Sequence, residues 1–335
     1  MELGLYTFGD LTPDPQTGRA ISARQRYAEI LEAGRLADDA GLAVFGIGEH
    51  HRLDIAISSP AVVMAAIAAL TKRIRLTSAV TVLSTLDPVR VYQDFATVDL
   101  LSGGRAELTA GRGAFRESFP LFGADMADYD ALFAEKLALL LQIDAGNPVE
   151  WQGRFRTPLK SAEISPRPVG RLPIWLGLGG TPESALRAGT LGLPVVLANI
   201  SKPPASLAGQ IAAYRARFAA AGHDPARQKV ALATHFHVAP DSQAARDEFY
   251  PHYSAYAARG DASRAVPREL YETRASATGP IFVGSPQEII DKIMYERELF
   301  AHDRFLAQLD IGGLPYAKVA RSIELLASKV MPALR

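Results

Sequence analysis

The chain has 335 residues, 48% apolar and 21% charged, which is enough apolar mass for a sizeable core and too little charge for disorder. Thirty-six basic residues balance thirty-six acidic ones, which excludes an overall field able to gather nucleic acid or an anionic membrane. Cysteine is absent, so disulfides, thiolate metal sites and thiol nucleophiles are excluded too.

In chain order the pattern is strand, helix, strand, helix. Leu3 to Phe8 is a short apolar run, read as strand one. Ala23 to Ala40 follows as a helix with Tyr27, Ile30, Leu31 and Ala37 on one face, closed by Gly41. Val44 to Gly48 is strand two, Pro60 to Leu70 an alanine-rich helix, and Ile74 to Leu83 strand three, dense in β-branched residues. Asp87-Pro88 is a strong helix start, an N-cap acid followed by proline at the first helical position. That helix stops at Ser102-Gly103-Gly104, and Arg105 to Ala110 is strand four. Gly111 to Asp128 reads as a long loop and Tyr129 to Ile143 as a helix. The stretch to Arg171 is irregular, with a small hairpin around Trp151-Gln152-Gly153-Arg154. Pro173 to Leu178 is strand five, a helix opens at Thr181-Pro182, and Leu193 to Ala198 is strand six. A helix spans Ser206 to Ala221, Val230 to Val238 is strand seven, and Asp241 caps the next helix. Tyr250 to Gly279 has no assignable period. Ser285-Pro286-Gln287-Glu288 is a capping box, Arg304 to Ile311 is strand eight, and Pro315 to Val330 is the last helix.

Eight strand–helix units with no linker between them point to one domain over residues 1–335. The expected fold is an α/β (β/α)8 barrel of the TIM type. An open doubly wound sheet is the alternative. No apolar run is long enough to span a bilayer. The start, Met1-Glu2-Leu3-Gly4, does not read as a secretion signal, so a cytoplasmic protein is expected.

A barrel of this kind builds its site from the carboxyl ends of its strands. Four stretches there carry candidate chemistry. Gly48-Glu49-His50-His51 offers imidazoles for proton transfer. Neighbours on extended chain point opposite ways, so one functional histidine is expected, against a plain loop hydrogen-bonding role. Gly177 to Ser184 is a glycine-rich turn into a helix, suited to a phosphate through free amides, Thr181 and Ser184; the bland alternative makes Thr181 an ordinary N-cap. Arg112, between two glycines, suits a phosphate or a carboxylate, or a rim salt bridge. His235 and His237 share a face of strand seven, as two metal ligands would. With Glu49, Asp54, Asp87 and Asp310 near strand ends, a metal-dependent hydrolase is the rival, opposed by the lack of a metal-spaced motif. Gly284-Ser285 and Gly312-Gly313 are further phosphate candidates.

Between Ile74 and Gly113 the chain reads RLTSAV, then DPVR, D-x-LSGGR and GRG in order. GEHH, PIWLGLGGTPESALRAGTLGLP from Pro173, GSPQEII from Gly284 and FLAQLDIGGLPYAKVARSIELLASKVMP from Phe305 add to these. Together they closely resemble the bacterial luciferase-like, flavin-dependent monooxygenases, over essentially the whole chain. The resemblance implies a monooxygenase that uses reduced FMN and O2 on an organic substrate, with an NAD(P)H-dependent reductase supplying the flavin. It implies His50 as the catalytic histidine and Arg112, Gly179, Gly180, Thr181 and Ser184 around the flavin phosphate. It also implies a barrel insertion late in the chain, about residues 240–285, a non-proline cis peptide at Ala79-Val80 against the flavin ring, a homodimer, and no metal. Gly111 stands where the luciferase α subunit has a cysteine, which argues against light emission. An F420-dependent dehydrogenase, or a flavin-binding protein without catalysis, are the alternatives. The substrate pocket is expected from Tyr6, Phe8, Phe115, Phe119 and the 250–279 segment, with an apolar, aromatic character.

Overall fold

A computed structural model describes residues 1–113, 115–179 and 181–334. All eight expected strands form: β1 (Glu2–Thr7), β2 (Val44–Ile47), β3 (Arg75–Ser78), β4 (Ala106–Gly111), β5 (Ile174–Leu178), β6 (Val195–Ala198), β7 (Val230–Val238) and β8 (Arg304–Gln308). Each pairs in parallel with the next, and β8 pairs with β1. That last pairing closes the sheet into a barrel and removes the open-sheet alternative. The principal helices are α1 (Ala23–Asp39), α2 (Pro60–Leu70), α3 (Pro88–Ser102), α4 (Tyr129–Ala145), α5 (Pro182–Leu191), α6 (Ala208–Ala220), α7 (Ser242–Ala258), α8 (Arg268–Ala275), α9 (Pro286–Phe300) and α10 (Tyr316–Leu325).

Local chemistry sets most helix ends. Asp87 Oδ1 accepts from the amides of Val89 and Arg90 at 2.9 and 3.2 Å, with Pro88 in the first turn. Gly103, at φ 70°, ends α3 in the left-handed region where glycine carries no side-chain clash. Ser285 accepts from the Glu288 amide at 3.4 Å, but Glu288 turns to Arg246 at 2.9 Å, so only half of the expected capping box forms.

Alternation along the strands builds two cores. One face of each strand packs under the helices, where Leu5, Phe45, Leu76, Leu108 and Phe305 are fully buried; each such side chain contributes about 1.5–3 kcal/mol. The opposite face fills the barrel with Tyr6, Val44, Trp175, Val196, Ala231, Ala233 and Leu306. The amino end is plugged by Arg304, which donates to Glu107 at 2.6 and 3.0 Å and to Glu2 at 2.8 Å. Trp175 lies against that guanidinium, 4.4 Å from Cζ to ring centroid.

The structure departs from the sequence reading in four places. Strand three breaks after Ser78, with Thr81–Val82 pairing separately with Ala110 and Gly111; the Ala79–Val80 peptide between the two pieces is cis, as the resemblance implies. The stretch read as a loop after β4 holds a helical turn at Ser118–Leu121. The hairpin is wider than its quoted tetrapeptide, pairing Val149–Trp151 with Leu159–Ala162. Within the insertion, α7 runs through Pro251 to Ala258, and α8 and a short strand, Phe282–Gly284 beside β7, follow. Proline inside α7 disguised its helical period.

Candidate active site

The carboxyl end of the barrel divides into a half lined by small residues and a half lined by rings. Following the inward alternation upward leads to Gly48, Ala79, Gly111, Gly177, Gly179 and Ala198 on β2 to β6. Val80 spreads across two of these. A Cβ on Gly111 would lie 2.3 Å from Val80 Cγ2, and one on Gly177 would lie 3.0 Å from Val80 Cγ1. Thus Val80 fills the space that a side chain at position 111 would occupy. Gly179 is different, because a Cβ there would meet nothing within 4 Å. Ala198, two residues past inward-facing Val196, is exposed. A slot therefore stays open along β5 and β6.

At the end of that slot stands a polar cluster. Arg112 Nη2 donates to Ser184 Oγ at 3.0 Å and lies 3.4 Å from Thr181 Oγ1. The two hydroxyls share a 2.8 Å hydrogen bond. Thr181 makes no capping bond to α5, so the ordinary N-cap alternative fails. Arg112 is also held by Asp130 at 2.7 Å and lies over the Tyr129 ring. Gly180 falls outside the described residues.

The two adjacent histidines part, as alternation requires. His51 Nε2 meets Glu49 Oε1 at 2.8 Å, while Glu49 Oε2 accepts from the Val82 amide at 2.9 Å. Glu49 is thus a buried strut between the end of β2 and the segment just after Val80. The sequence offers Glu49 only as a carboxylate near a strand end, not as a strut. His50 instead sits between rings, with centroids 4.5 Å from Phe8 and 4.7 Å from Phe115. Burial, then the guanidinium charges of Arg259 and Arg52, push its pKa down to about 3. It is therefore neutral at physiological pH, with a lone pair available.

On the ring-lined side, His235 lies edge-on to Tyr253 and Tyr256 of α7, at 5.6 and 5.5 Å. Its Nδ1 is buried without a hydrogen-bond partner among the described residues. Burial, with help from Arg259 and Arg274, lowers its pKa to about 3. Tyr6 donates to Gln308 Oε1 at 2.9 Å on the neighbouring strands. His237 is engaged elsewhere, stacked on Phe249 and bonded to Glu248 at 3.0 Å. The pair thus does not converge as metal ligands. Among the described residues no group of three His, Cys, Asp or Glu side chains could hold a metal ion. The candidate carboxylates are already occupied: Arg52 grips Asp54 and Glu117, Asp87 caps α3, and Asp310 accepts from Thr7 at 2.7 and 2.8 Å.

Of the expected pocket residues, Tyr6, Phe8 and Phe115 face this end. Phe119 is fully buried against Tyr129, so it contributes no wall. The 250–279 segment contributes Tyr253, Tyr256 and Arg259, while Tyr250 packs on Tyr271. The other glycine candidates are closed: a Cβ on Gly284, Gly312 or Gly313 would collide with Glu288, with the His252 carbonyl and with the Thr12 carbonyl, respectively. A hollow of about 1150 Å³ lies at the opposite, amino end around Glu2, Arg75, Glu107 and Arg304. No helix among the described residues is long and apolar enough to cross a membrane.

The family model described as luciferase-like monooxygenase matches residues 1–303. The chain is 24% identical over 355 aligned positions to the oxygenase component of a flavin-dependent trigonelline monooxygenase from Acinetobacter baylyi, covering 99% of this chain and 95% of that one. It is 32% identical over 206 residues to an uncharacterized protein, y4wF, of Sinorhizobium fredii, covering 61% of this chain but only 58% of that relative. Among solved structures, the monooxygenase RslO1 from Streptomyces bottropensis superposes with a TM-score of 0.87 at 25% identity, covering all of both chains. A match running from the first residue through the last-but-one strand–helix unit, on a closed barrel with this carboxyl end, assigns the chain to the luciferase-like monooxygenase family.

Proposed function

We propose that the protein is a flavin-dependent monooxygenase that uses reduced FMN and O2 on an organic substrate. The observation that carries this reading is the cluster of Arg112, Thr181 and Ser184 at the end of the slot, beside the open position at Gly179. Guanidinium and hydroxyl donors around an open space suit a terminal phosphate. The small residues leading away from it suit a flat ring lying on Val80. The name of the Acinetobacter relative, an oxygenase component that is flavin-dependent, supports the same reading and a separate NAD(P)H-dependent reductase as supplier.

A bound reduced flavin would supply the electrons that activate O2. The protein's own groups do the rest. Arg112 exchanges its exposed Asp130 partner for phosphate, while Thr181 and Ser184 donate beside it. Val80, over Gly111 and Gly177, sets the depth of the ring. Phe8 and Phe115 keep water from His50. Neutral His50 serves as a proton acceptor at its free imidazole nitrogen, and returns that proton as the cycle closes. A general-acid role starting from a charged imidazolium does not suit a group held at about 3. Exposed Val62 and Leu70 of α2 and Leu100 and Leu101 of α3 support a homodimer, to be read by sedimentation. The reading also keeps the protein in the cytoplasm, beside its reductase.

Titration with FMN, riboflavin and F420, followed by flavin fluorescence, tests the cofactor. FMN should bind most tightly, and Arg112→Ala should weaken FMN by about tenfold or more while leaving riboflavin nearly unchanged. Equal losses for FMN and riboflavin would remove the phosphate contact. Tight F420 binding without FMN binding would turn the reading toward a dehydrogenase.

A further inference from the structure

The ring-lined half of the barrel mouth ends in a cation. Arg259 is the C-cap of α7 and holds a left-handed backbone, φ 48°, that side-chain-bearing residues seldom adopt. Its guanidinium lies 4.4 Å from the Phe115 ring centroid and 5.0 Å from that of Tyr256. One ring comes from the loop after β4 and the other from the insertion, so Arg259 stands where the two meet above His50 and His235. The other arginines nearby are engaged: Arg52 by Asp54 and Glu117, Arg112 by Asp130, and Arg274 by the Tyr253 hydroxyl. Arg259 forms no ion pair among the described residues. Asp54 feels its charge, but both Asp54 oxygens are taken by Arg52 at 2.8 and 3.1 Å. The guanidinium charge reaches His235, whose buried Nδ1 has no hydrogen-bond partner among the described residues. Rings stand beside these points: Tyr6 edge-on to Phe8, and Tyr253 and Tyr256 edge-on to His235.

We infer that this half of the mouth binds an aromatic monoanion, a carboxylate-bearing ring compound whose acid group pairs with Arg259 and whose ring lies among the tyrosines toward His235. The inference names the substrate class of the proposed monooxygenase and rests on that reading for what becomes of the substrate, though not for its binding. The physical reason is that an unpaired guanidinium next to apolar rings gains a charge-assisted hydrogen bond from a carboxylate that an amide cannot match. A helix C-terminus alone also favours a cation, so the test must separate a capping role from recognition.

Binding of benzoate, 4-hydroxybenzoate and phenylacetate, each against its neutral amide, can be measured calorimetrically on FMN-saturated protein. At least one acid should bind about tenfold or more tightly than its amide. In Arg259→Gln that preference should fall to within twofold, whereas thermal stability and FMN affinity stay put. A merely capping arginine predicts the reverse: lost stability with no change in preference. If no acid binds below 10 mM, or the preference survives in Arg259→Gln, the inference is overturned. Should FMN itself fail to bind, the same series on the flavin-free protein, with Arg112→Gln to silence the phosphate cluster, decides the matter independently: preference lost in Arg259→Gln supports it, and preference lost only in Arg112→Gln refutes it.

Discussion

The two ends of this barrel use the same residue types to opposite effect. At the amino end, buried Arg304 faces Glu107 and Glu2 in near-ideal forked geometry, Arg75 closes the ring, and Trp175 covers it. At the carboxyl end, His50 and His235 are held neutral, His235 Nδ1 and the Arg259 guanidinium have no hydrogen-bond or ion-pair partner among the described residues, and Gly179 leaves a gap. A sizeable hollow lies at the amino end, yet its central charges satisfy one another. Capacity for chemistry follows unmet hydrogen-bonding demand and not empty volume. A saturated network resists rearrangement, while unsatisfied groups wait for a partner.

Substitutions at each end should separate these two characters. The largest effect is expected for His50→Ala, which should lower turnover by about 10²–10⁴-fold with FMN affinity changed by no more than a few fold; near-normal turnover would remove His50 from the chemistry. Arg304→Met, at the other end, leaves Glu107 short of its main partner and should destabilise the fold by about 3–5 kcal/mol in urea denaturation, with affinity per folded molecule intact. A loss of flavin binding at full folding would blur the distinction drawn between the ends. Gly111→Ala should cost about 1–3 kcal/mol, because its methyl must displace Val80, and should weaken FMN binding alongside stability. The smallest effect concerns protons. With its pKa near 3, His50 stays neutral as pH falls through 6.5, so it imposes no loss of rate there. Its imidazole should begin to charge only near pH 3 by NMR, and Arg259→Gln should move that titration upward by removing a neighbouring positive charge. A His50 that titrates near 6.5 in the wild type would contradict the burial described.

Much of this was legible in the sequence. The strand ends and caps came through because each rests on local chemistry, as with Asp87-Pro88 opening α3 and Gly103 closing it. The Arg112 and Thr181–Ser184 segments could be named singly. That they meet depends on β4 and β5 being neighbours, which is a property of the closed barrel. That His50 and His51 part was legible from alternation; that His50 is the one to follow came only from the resemblance. Arg259 was not legible, because nothing local marks a residue whose importance comes from standing between Phe115 and Tyr256. Nor was Phe119, an aromatic that looked like a pocket wall and turned out to be core: hydrophobicity says that a ring will be buried, not by what.

Trp175 gives the molecule a built-in optical gauge. The chain has only two tryptophans, one enclosed in the barrel against a cation and the other, Trp151, on the outer hairpin. Replacing Trp151 with phenylalanine would leave a single emitter whose wavelength follows the sealing of the barrel base alone, so assembly of the eight-stranded wall can be timed separately from the docking of its peripheral parts.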